Sequence, residues 1–271
     1  MKHIVLHSGG HSSGIVAVEV ARRFGIENIV LLNHDLPELV EAPDIKRFKR
    51  EIAEYIGVPV TQANHPDPGA NQFSVCIDAK AFKVDSGPEL CTARLKTEPF
   101  RAWLDANITD KSDCILYYGF DKDEMHRVQR RVGVLAEMGY RSDYPIALWP
   151  ERTIVQSSEV GIAKPLGYSQ FKHANCIGCL KAGWQHWYIV YCTRPDIWAM
   201  GKEAEEIIGY AIHHDEDGPV YLEDMEDRFA ILKCQGVPAT EHIPQQRFWA
   251  DAAKWIKIAS EPSLLPCECS T

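Results

Sequence analysis

A Ser-Gly-Gly turn near the amino terminus has the composition of a phosphate-binding loop. The apolar run 3–7 leads into Ser8-Gly9-Gly10-His11, after which a helical pattern continues to Gly25. Glycines permit positive φ angles and let a ligand approach the backbone, and Ser12 or Ser13 is suited to cap the new helix. The N–H groups and the dipole at a helix N-terminus favour an anion. The spacing predicts a phosphate site, and an ordinary strand-to-helix turn is the alternative.

Cysteines form the second chemical group. The chain has nine, and we see no secretion signal, so metal or redox chemistry is favoured over structural disulfides. Cys176 and Cys179 have the CxxC spacing that lets two sulfur atoms meet at one iron or zinc centre. Cys91 precedes Arg94 and Lys96, whose positive charge favours the thiolate form. The CxxC pair alone supplies only two ligands.

Other polar groups admit structural explanations. Cys76, Cys114 and Cys234 lie in apolar patterns and are expected in the core. The basic residues of 46–50 alternate with an apolar helix face, which predicts a solvated face. The run 213–215, His-His-Asp, is typical of an acidic loop.

Carboxylates and an arginine follow a predicted strand end. Asp121, Asp123, Glu124 and Arg127 lie where magnesium or phosphate would bind in an α/β protein. A solvated helix N-terminus rich in acidic residues explains the carboxylates equally well.

The elements that must position these groups alternate between strands and helices. Strands are predicted at 3–7, 28–35, 58–63, 114–119 and near 144–148. Helices are predicted at 43–57 and 124–138, and 65–90 is expected to be a long loop with a short helix. Alternation predicts parallel pairing, right-handed crossovers and a ligand crevice at the carboxyl ends of the strands. Asn33 and Asp35 would share that edge with the glycine turn.

The fold class predicted is α/β, a doubly wound, mostly parallel five-stranded sheet with a helical C-terminal extension. We expect a nucleotide-binding domain at 1–150, the extension at 151–260 carrying the CxxC, and a tail at 261–271. Further helices are predicted at 196–208, 222–234 and 246–259.

Composition narrows the functional classes. With 271 residues and 45% hydrophobic content, the chain can bury a substantial core. It contains no apolar run long enough to cross a bilayer, so we expect a cytoplasmic protein without membrane contact. A net charge of −9 argues against a generally basic nucleic-acid-coating surface and restricts such contact to a local site.

The order of the motifs resembles a known family. The turn lacks both GxGxxG and the Gly-Lys-Ser/Thr ending of a P-loop. SGGHSS resembles the SGGxDS loop of the PP-loop enzymes, the adenine nucleotide alpha hydrolase-like superfamily, with Ser12 at the acidic position. The later segments CTARLK, GFDKDEMHR, YPIALW and the CxxC resemble, in order, elements of the phosphoadenosine phosphosulfate (PAPS) reductase-like branch. The closest similarity is to the iron–sulfur sulfurtransferases of DNA phosphorothioation.

The resemblance implies roles for particular residues. For nucleotide binding it implies Ser8, Gly9, Gly10, His11, Ser12, Ser13, Asn33, Asp35 and Gly119. For catalysis it implies Ser12, Asp121, Glu124 and Arg127. For metal binding it implies Cys91, Cys176 and Cys179, with Cys192 as a fourth candidate, around an iron–sulfur cluster of the 4Fe-4S type. Zn²⁺ and unligated cysteines are the alternatives.

The implied reaction is ATP-dependent sulfur transfer with Mg²⁺. An acceptor oxygen would be adenylated and replaced by sulfur from a donor such as a cysteine desulfurase. The acceptor is left open, with nucleic acid at a local site and a homodimeric assembly among the expectations. One alternative is a reductase of a sulfonucleotide (PAPS or APS) that uses a tail cysteine, Cys267 or Cys269. Another is a nucleotide-sensing or partner-binding protein without catalysis.

Overall fold

A five-stranded sheet, parallel throughout, organises the amino-terminal half of the chain. The structure, a computed structural model, describes residues 1–84, 89–174 and 176–260. The strands are β1 (Lys2–Leu6), β2 (Ile29–Asn33), β3 (Val60–Gln62), β4 (Cys114–Tyr117) and β5 (Arg141–Asp143), in the spatial order β3-β2-β1-β4-β5. All four neighbouring pairs run parallel. The order reverses direction between β1 and β4, where an open α/β sheet forms its ligand crevice.

Eleven helical segments of α type accompany the strands in the described part. They are α1 (His11–Phe24), α2 (Pro43–Ile56), α3 (Ser74–Ala79), α4 (Leu90–Thr92), α5 (Glu98–Asn107), α6 (Met125–Glu137), α7 (Pro145–Leu148), α8 (Trp184–Thr193), α9 (Pro195–Ile208), α10 (Glu226–Cys234) and α11 (Gln245–Ser260). A π-helical stretch, Ala93–Thr97, joins α4 to α5. A hairpin of β6 (His213–Asp215) and β7 (Gly218–Val220) follows α9. None of these described helices is long and apolar enough to cross a membrane.

The chain folds into two compact units. The first unit comprises Met1–Asn71, Cys91–Tyr168 and His173–Cys176, and the second comprises Gln72–Leu90, Ser169–Lys172 and the chain from Ile177 onward. The large sheet with α1, α2 and α5–α7 lies in the first unit. The second unit contains α3, α8–α11 and the hairpin.

Alternating strand residues build a core on each face of the large sheet. Val5 and Leu31 join one buried cluster with residues of α1 and α2. Ile4 and Leu32, their neighbours in sequence, join a second cluster with α5 and α6. Successive side chains on a strand point to opposite faces, so helices cover both sides of the sheet. The first unit is a doubly wound α/β structure, as predicted.

Most predicted elements are confirmed, but the fifth strand was misplaced. The apolar run at 144–148 forms helix α7, and β5 lies just before it. Proline fixes φ near its helical value and needs no N–H bond at the first helical position, so Pro145 ends the strand and begins α7. The run 213–215 likewise forms a strand of a hairpin rather than a loop. A short helix, α3, does lie within 65–90 as predicted.

Aromatic side chains fill the core of the second unit. Trp187 is fully buried, and its ring lies 6.4 Å from that of Phe73 and 6.1 Å from that of Trp198. Tyr188 packs on Phe229 with the ring centroids 5.3 Å apart. Aromatic pairs at such separations stabilise a core beyond their area of burial. Helix α8, which carries Trp187 and Tyr188, is therefore the centre of this unit.

A buried carboxylate fixes the hairpin of the second unit. Glu205 of α9 is 2% exposed, and its two oxygen atoms accept hydrogen bonds from the backbone N–H groups of Ile212 at 2.8 Å and Leu222 at 2.7 Å. Burial raises the pKa of Glu205 to about 7, against the effect of these two N–H donors. The residues that flank the hairpin are thus bonded to one titrating side chain.

We predict a pH-dependent stability from this arrangement. A carboxyl group whose pKa is higher in the folded state binds its proton more tightly there, so the free energy of unfolding falls as pH rises from about 4.5 to about 7. Glu205→Gln should reduce this fall by about 1–3 kcal/mol. Urea unfolding at pH 4.5, 6 and 8 measures it. Glu206→Gln, an exposed neighbour on α9, serves as control, and an equal pH dependence in both variants would contradict the assignment.

Candidate functional site

The glycine turn after β1 has the geometry of an anion-binding loop. Gly9 has a φ of +81°, and a Cβ atom there would lie 2.5 Å from Cγ2 of Ile45. Gly10 is extended, with φ −75° and ψ 151°, and α1 begins at His11. Gly9 therefore meets both requirements of the prediction, a positive φ and a close approach of the backbone. Gly10 has a negative φ, and the nearest atom to an added Cβ there would be 3.4 Å away. Gly10 therefore meets neither requirement.

The predicted serine cap of α1 is wrong. The N-cap residue is Gly10, and no side chain caps the helix. Because the helix begins at His11, Ser12 and Ser13 fall within its first turn. Ser13 Oγ donates instead to the carbonyl oxygen of Gly10 at 2.8 Å, and Ser8 Oγ donates to Ser13 Oγ at 3.3 Å. The hydroxyl groups of Ser8 and Ser13 therefore stabilise the turn by hydrogen bonds within it.

His11 is held in its neutral form beside the loop. Its Nε2 atom accepts a hydrogen bond from the backbone N–H of Ser157 at 3.2 Å, which places the ring proton on Nδ1. Burial, together with the charge of Lys164, lowers the pKa of His11 to about 4. A side-chain hydrogen bond from His11 to a phosphate, as the sequence predicts, would therefore have to come from Nδ1.

Gly119 brings the loop after β4 against the start of α1. A Cβ atom at Gly119 would lie 2.8 Å from the backbone nitrogen of Ser13 and 2.9 Å from the carbonyl carbon of Ser12. Real Cβ atoms do not approach backbone this closely, so only glycine fits. The two loops at the switch point of the sheet are therefore in direct backbone contact.

A small cavity collects residues from separated motifs of the first unit. It measures about 70 Å³. Its lining consists of Ser8, Asn33, His34, Leu36, Glu41, Ile45, Lys96, Ala174 and Cys176. The glycine loop, the CTARLK segment and the first CxxC cysteine thus contribute to one site. A water molecule takes up about 30 Å³ and a drug-sized ligand needs roughly 300–1,000 Å³, so this cavity accepts only a small group.

The strand-end residues Asn33 and Asp35 belong to a buried ionic network. Asn33 Nδ2 donates to the carbonyl oxygen of His7 at 2.7 Å, and Lys49 Nζ donates to Asn33 Oδ1 at 3.0 Å. Lys49 also pairs with Glu41 at 2.6 Å and with Asp35 at 3.4 Å. Burial raises the pKa of Glu41, and the nearby Lys49 partly offsets that effect.

The predicted solvated face of α2 is wrong at Lys49. Lys49 is 4% exposed and lies against Gly9, whose added Cβ would be 3.1 Å from Lys49 Cγ. Of the four basic residues, only Arg50 is exposed. Helical periodicity places Lys49 outside the apolar face and so predicts exposure. Lys49 can be buried because Glu41 and Asp35 neutralise its charge.

We predict that Lys49→Met lowers the free energy of unfolding by about 3–5 kcal/mol, because Glu41 is left buried without its cation. Adding Glu41→Gln removes the unpaired charge and should restore part of the loss. Denaturant unfolding of the two single variants and the double variant measures the coupling. Arg50→Met is the control, since its pair with Glu54 is 66% and 68% exposed and should contribute less than about 1 kcal/mol. Additive losses in the cycle would contradict the pairing.

The predicted catalytic carboxylates form a helix start. Asp121 caps the 3-10 turn Lys122–Glu124, and Glu124 accepts a hydrogen bond from the Asp121 N–H at 3.0 Å in a capping box. Glu124 also pairs with Arg127, whose guanidinium lies 4.3 Å from the ring centre of Phe120. The structure thus brings Asp121, Glu124 and Arg127 together, but as groups that already satisfy one another. A magnesium ion there would compete with Arg127.

The predicted metal ligands are distributed over both units. Cys91 and Cys176 belong to the first unit, and Cys179 and Cys192 belong to the second. In the part of the chain that the structure describes, no group of three or more Cys, His, Asp or Glu residues is arranged to hold a metal ion. The three-cysteine cluster therefore stays a prediction, and the tail cysteines at 267 and 269 lie outside the described residues.

Backbone groups of Ile177 and Cys179 are hydrogen-bonded within the second unit. Gln72 Nε2 donates to the carbonyl oxygen of Ile177 at 2.7 Å, and the Cys179 N–H donates to His186 Nε2 at 3.4 Å. The other ring nitrogen of His186 lies 3.1 Å from a carboxylate oxygen of Glu241. These bonds fix the backbone of the turn.

The remaining cysteines are mostly inert. Cys76 and Cys114 are buried, as predicted, and burial raises the pKa of the Cys114 thiol. Cys234, the last residue of α10, is exposed, so the prediction of a core position is wrong. Burial also raises the pKa of Cys192, which disfavours the thiolate that a metal requires.

Comparison of the chain with known proteins identifies no relative. No family model, no curated protein and no solved structure matches the chain. Three residues beside the loop carried no motif signal in the sequence, namely Lys49, Ser157 and Tyr168, whose hydroxyl oxygen accepts a hydrogen bond from the His11 N–H at 3.0 Å. Tyr168 and Ser157 follow the last predicted strand in an irregular stretch, where neither periodicity nor spacing indicates a partner.

Proposed function

We propose that the protein binds an adenine nucleotide at the Ser8–Ser13 loop and uses ATP to activate an acceptor oxygen for replacement by sulfur. This would make it a PP-loop enzyme of the PAPS reductase-like branch. The observation that carries the proposal is the 70 Å³ cavity, because Ser8, Lys96 and Cys176 line it together. Three motifs that are far apart in sequence converge there, at the carboxyl edge of a parallel sheet.

The proposed first step transfers adenylate. The acceptor oxygen attacks the α-phosphorus of ATP, the bond from that phosphorus to the bridging oxygen breaks, and pyrophosphate leaves. The backbone N–H groups at the start of α1 would stabilise the departing pyrophosphate, since preorganised dipoles facing developing charge lower the barrier. Lys96 adds a positive charge to the same cavity.

In the proposed second step, a nucleophile at the oxidation level of sulfide attacks the activated acceptor. The bond from the acceptor to the adenylated oxygen breaks, AMP leaves, and no reductant is consumed. Cys176 brings a thiol to the cavity. The proposed step needs no iron–sulfur cluster, and the described residues include no group of three side chains placed to hold a metal ion. Iron and sulfide analysis of anaerobically purified protein tests that cofactor separately.

A non-catalytic nucleotide-binding protein is the second candidate. It is favoured by the engagement of Asp121 and Glu124 in a capping box and an ion pair, and by Ser12 at the acidic position of the loop. Both features remove oxygen ligands that a catalytic Mg²⁺ would use. Binding without turnover under any sulfur donor would identify this class.

We predict that nucleotide binding depends on Gly9. Gly9→Ala should lower ATP affinity at least about tenfold, because the added methyl group would lie 2.5 Å from Ile45 Cγ2 and displace the loop. Gly25→Ala is the matched control: Gly25 has φ +74° at the other end of α1, with nothing within 4 Å of an added Cβ. Calorimetry with ATP, PAPS and APS compares the ligands. If wild-type protein binds none of them, the proposed function is wrong.

We predict that Ser12→Asp increases magnesium-dependent release of pyrophosphate from ATP. A carboxylate is a charged, hard oxygen ligand, so it should hold Mg²⁺ better than the serine hydroxyl group. A coupled phosphate assay over a magnesium titration measures the change. Ser13→Asp is the comparison, since Ser13 is 4% exposed and its hydroxyl group is bonded within the turn. Unchanged or lower release in Ser12→Asp would show that metal binds elsewhere or is not used.

A further inference from the structure

The hydroxyl group of Tyr168 lies at the place where the proposed function requires a phosphate. The backbone N–H of His11, the first residue of α1, donates to the Tyr168 hydroxyl oxygen at 3.0 Å. A Cβ atom built on Gly10 would lie 3.4 Å from the same oxygen and 3.7 Å from Cβ of Ala174. Tyr168, with the segment 163–168 that carries it, therefore covers the glycine loop.

The Tyr168 oxygen accepts the backbone N–H of the first residue of α1. A phenolic oxygen in this position imitates a phosphate oxygen at a helix N-terminus. Burial raises the pKa of Tyr168, so its oxygen stays uncharged. Hydrogen bonds to an anionic oxygen are roughly twice as strong as neutral ones, so a phosphate is the better acceptor for the His11 N–H.

Polar bonds tether the covering segment to α2. Asp44 accepts a hydrogen bond from the Leu166 N–H at 2.5 Å, and Arg47 donates to the carbonyl oxygen atoms of Ala163 at 3.2 Å and Lys164 at 3.4 Å. The Leu166 side chain is 74% exposed. Segments with few buried apolar contacts open at low cost in free energy.

Two buried polar atoms beside the loop have no hydrogen-bond partner among the described residues. They are Nδ1 of His7, which precedes Ser8, and Oγ of Ser157, whose N–H is bonded to the His11 ring. Both residues are 0% exposed. Native proteins rarely leave buried polar atoms unpaired without a functional reason. The covered arrangement thus leaves polar capacity unused next to the loop.

We propose that Tyr168 is a displaceable plug of the anion site. Its hydroxyl group holds the His11 N–H in the unliganded protein, and a nucleotide phosphate replaces it while the segment 163–168 moves off the loop. The inference rests on the proposed function. The 70 Å³ cavity is too small for a nucleotide, and movement of the segment 163–168 would open the start of α1 to a larger ligand. Apparent affinity is then the intrinsic affinity reduced by the fraction of molecules that are open.

The test is Tyr168→Phe, which keeps the ring and removes only the oxygen. Loss of the neutral hydrogen bond from the His11 N–H in the closed form should tighten the apparent Kd for pyrophosphate and for ATP by about twofold to tenfold. Calorimetry measures both ligands. Tyr210→Phe is the matched control, since Tyr210 is 54% exposed and lies in the second unit. Thermal unfolding of each variant without ligand verifies the fold.

Amide hydrogen exchange gives an independent readout. When pyrophosphate binds to wild-type protein, the Leu166 N–H should exchange faster because it leaves the Asp44 carboxylate as the segment 163–168 moves, whereas the His11 N–H should become better protected. Equal or weaker binding by Tyr168→Phe, or slower exchange at Leu166, would overturn the plug while leaving nucleotide binding intact. If neither wild-type protein nor Tyr168→Phe binds any nucleotide or pyrophosphate, the proposed function fails, and the plug fails with it.

Discussion

The close approach of backbone at the switch point of the sheet is the constraint on which the rest of the first unit depends. At Gly119 an added Cβ would lie 2.8 Å from the Ser13 nitrogen, and at Gly9 it would lie 2.5 Å from Ile45. These two close approaches set the start of α1 against both the loop after β4 and the face of α2. Any side chain at either position would move the helix N-terminus, and with it the N–H groups of its first turn.

The buried charge of Lys49 holds the same elements together through polar contacts. The aliphatic stem of Lys49 packs on Gly9, and its ammonium group connects Glu41, Asn33 and Asp35. Asn33 in turn is bonded to the carbonyl oxygen of His7, which precedes the loop. The ends of β1 and β2 and the face of α2 are thus held by one cation, and a buried pair of this kind specifies geometry because either charge alone is costly. The network positions the cavity walls without supplying a reactive group.

The residues of the predicted phosphate and cysteine motifs share one cavity only in part. Ser8, Lys96 and Cys176 line a cavity of the first unit, whereas Ile177 and Cys179 are hydrogen-bonded through their backbone to Gln72 and His186 within the second. The hydroxyl oxygen of Tyr168 accepts the His11 N–H. In our proposal a phosphate replaces this neutral acceptor with an anionic one, and the stronger hydrogen bond supplies the driving force.

Local patterns in the sequence determined the strands, the parallel pairing, the helices α1, α2 and α6, and the glycine loop between β1 and α1. These features follow from periodicity, from proline and glycine at helix ends, and from the rule that alternating strands and helices pair in parallel. The predicted position of β5 is wrong because an apolar run of strand length can also form a helix that begins at a proline, as it does at Pro145. The predicted serine cap of α1 is wrong because serine favours a cap only when the helix begins directly after it.

Only the tertiary structure decided which polar groups meet. Burial of Lys49, exposure of Cys234, the bond from Ser157 to His11 and the position of Tyr168 all depend on residues distant in sequence. Hydrogen bonds and ion pairs have no period along the chain, and a buried charge is tolerated only where a partner lies within a few ångströms. The sequence therefore predicts where an anion could bind, whereas the packed chain determines what already occupies that place.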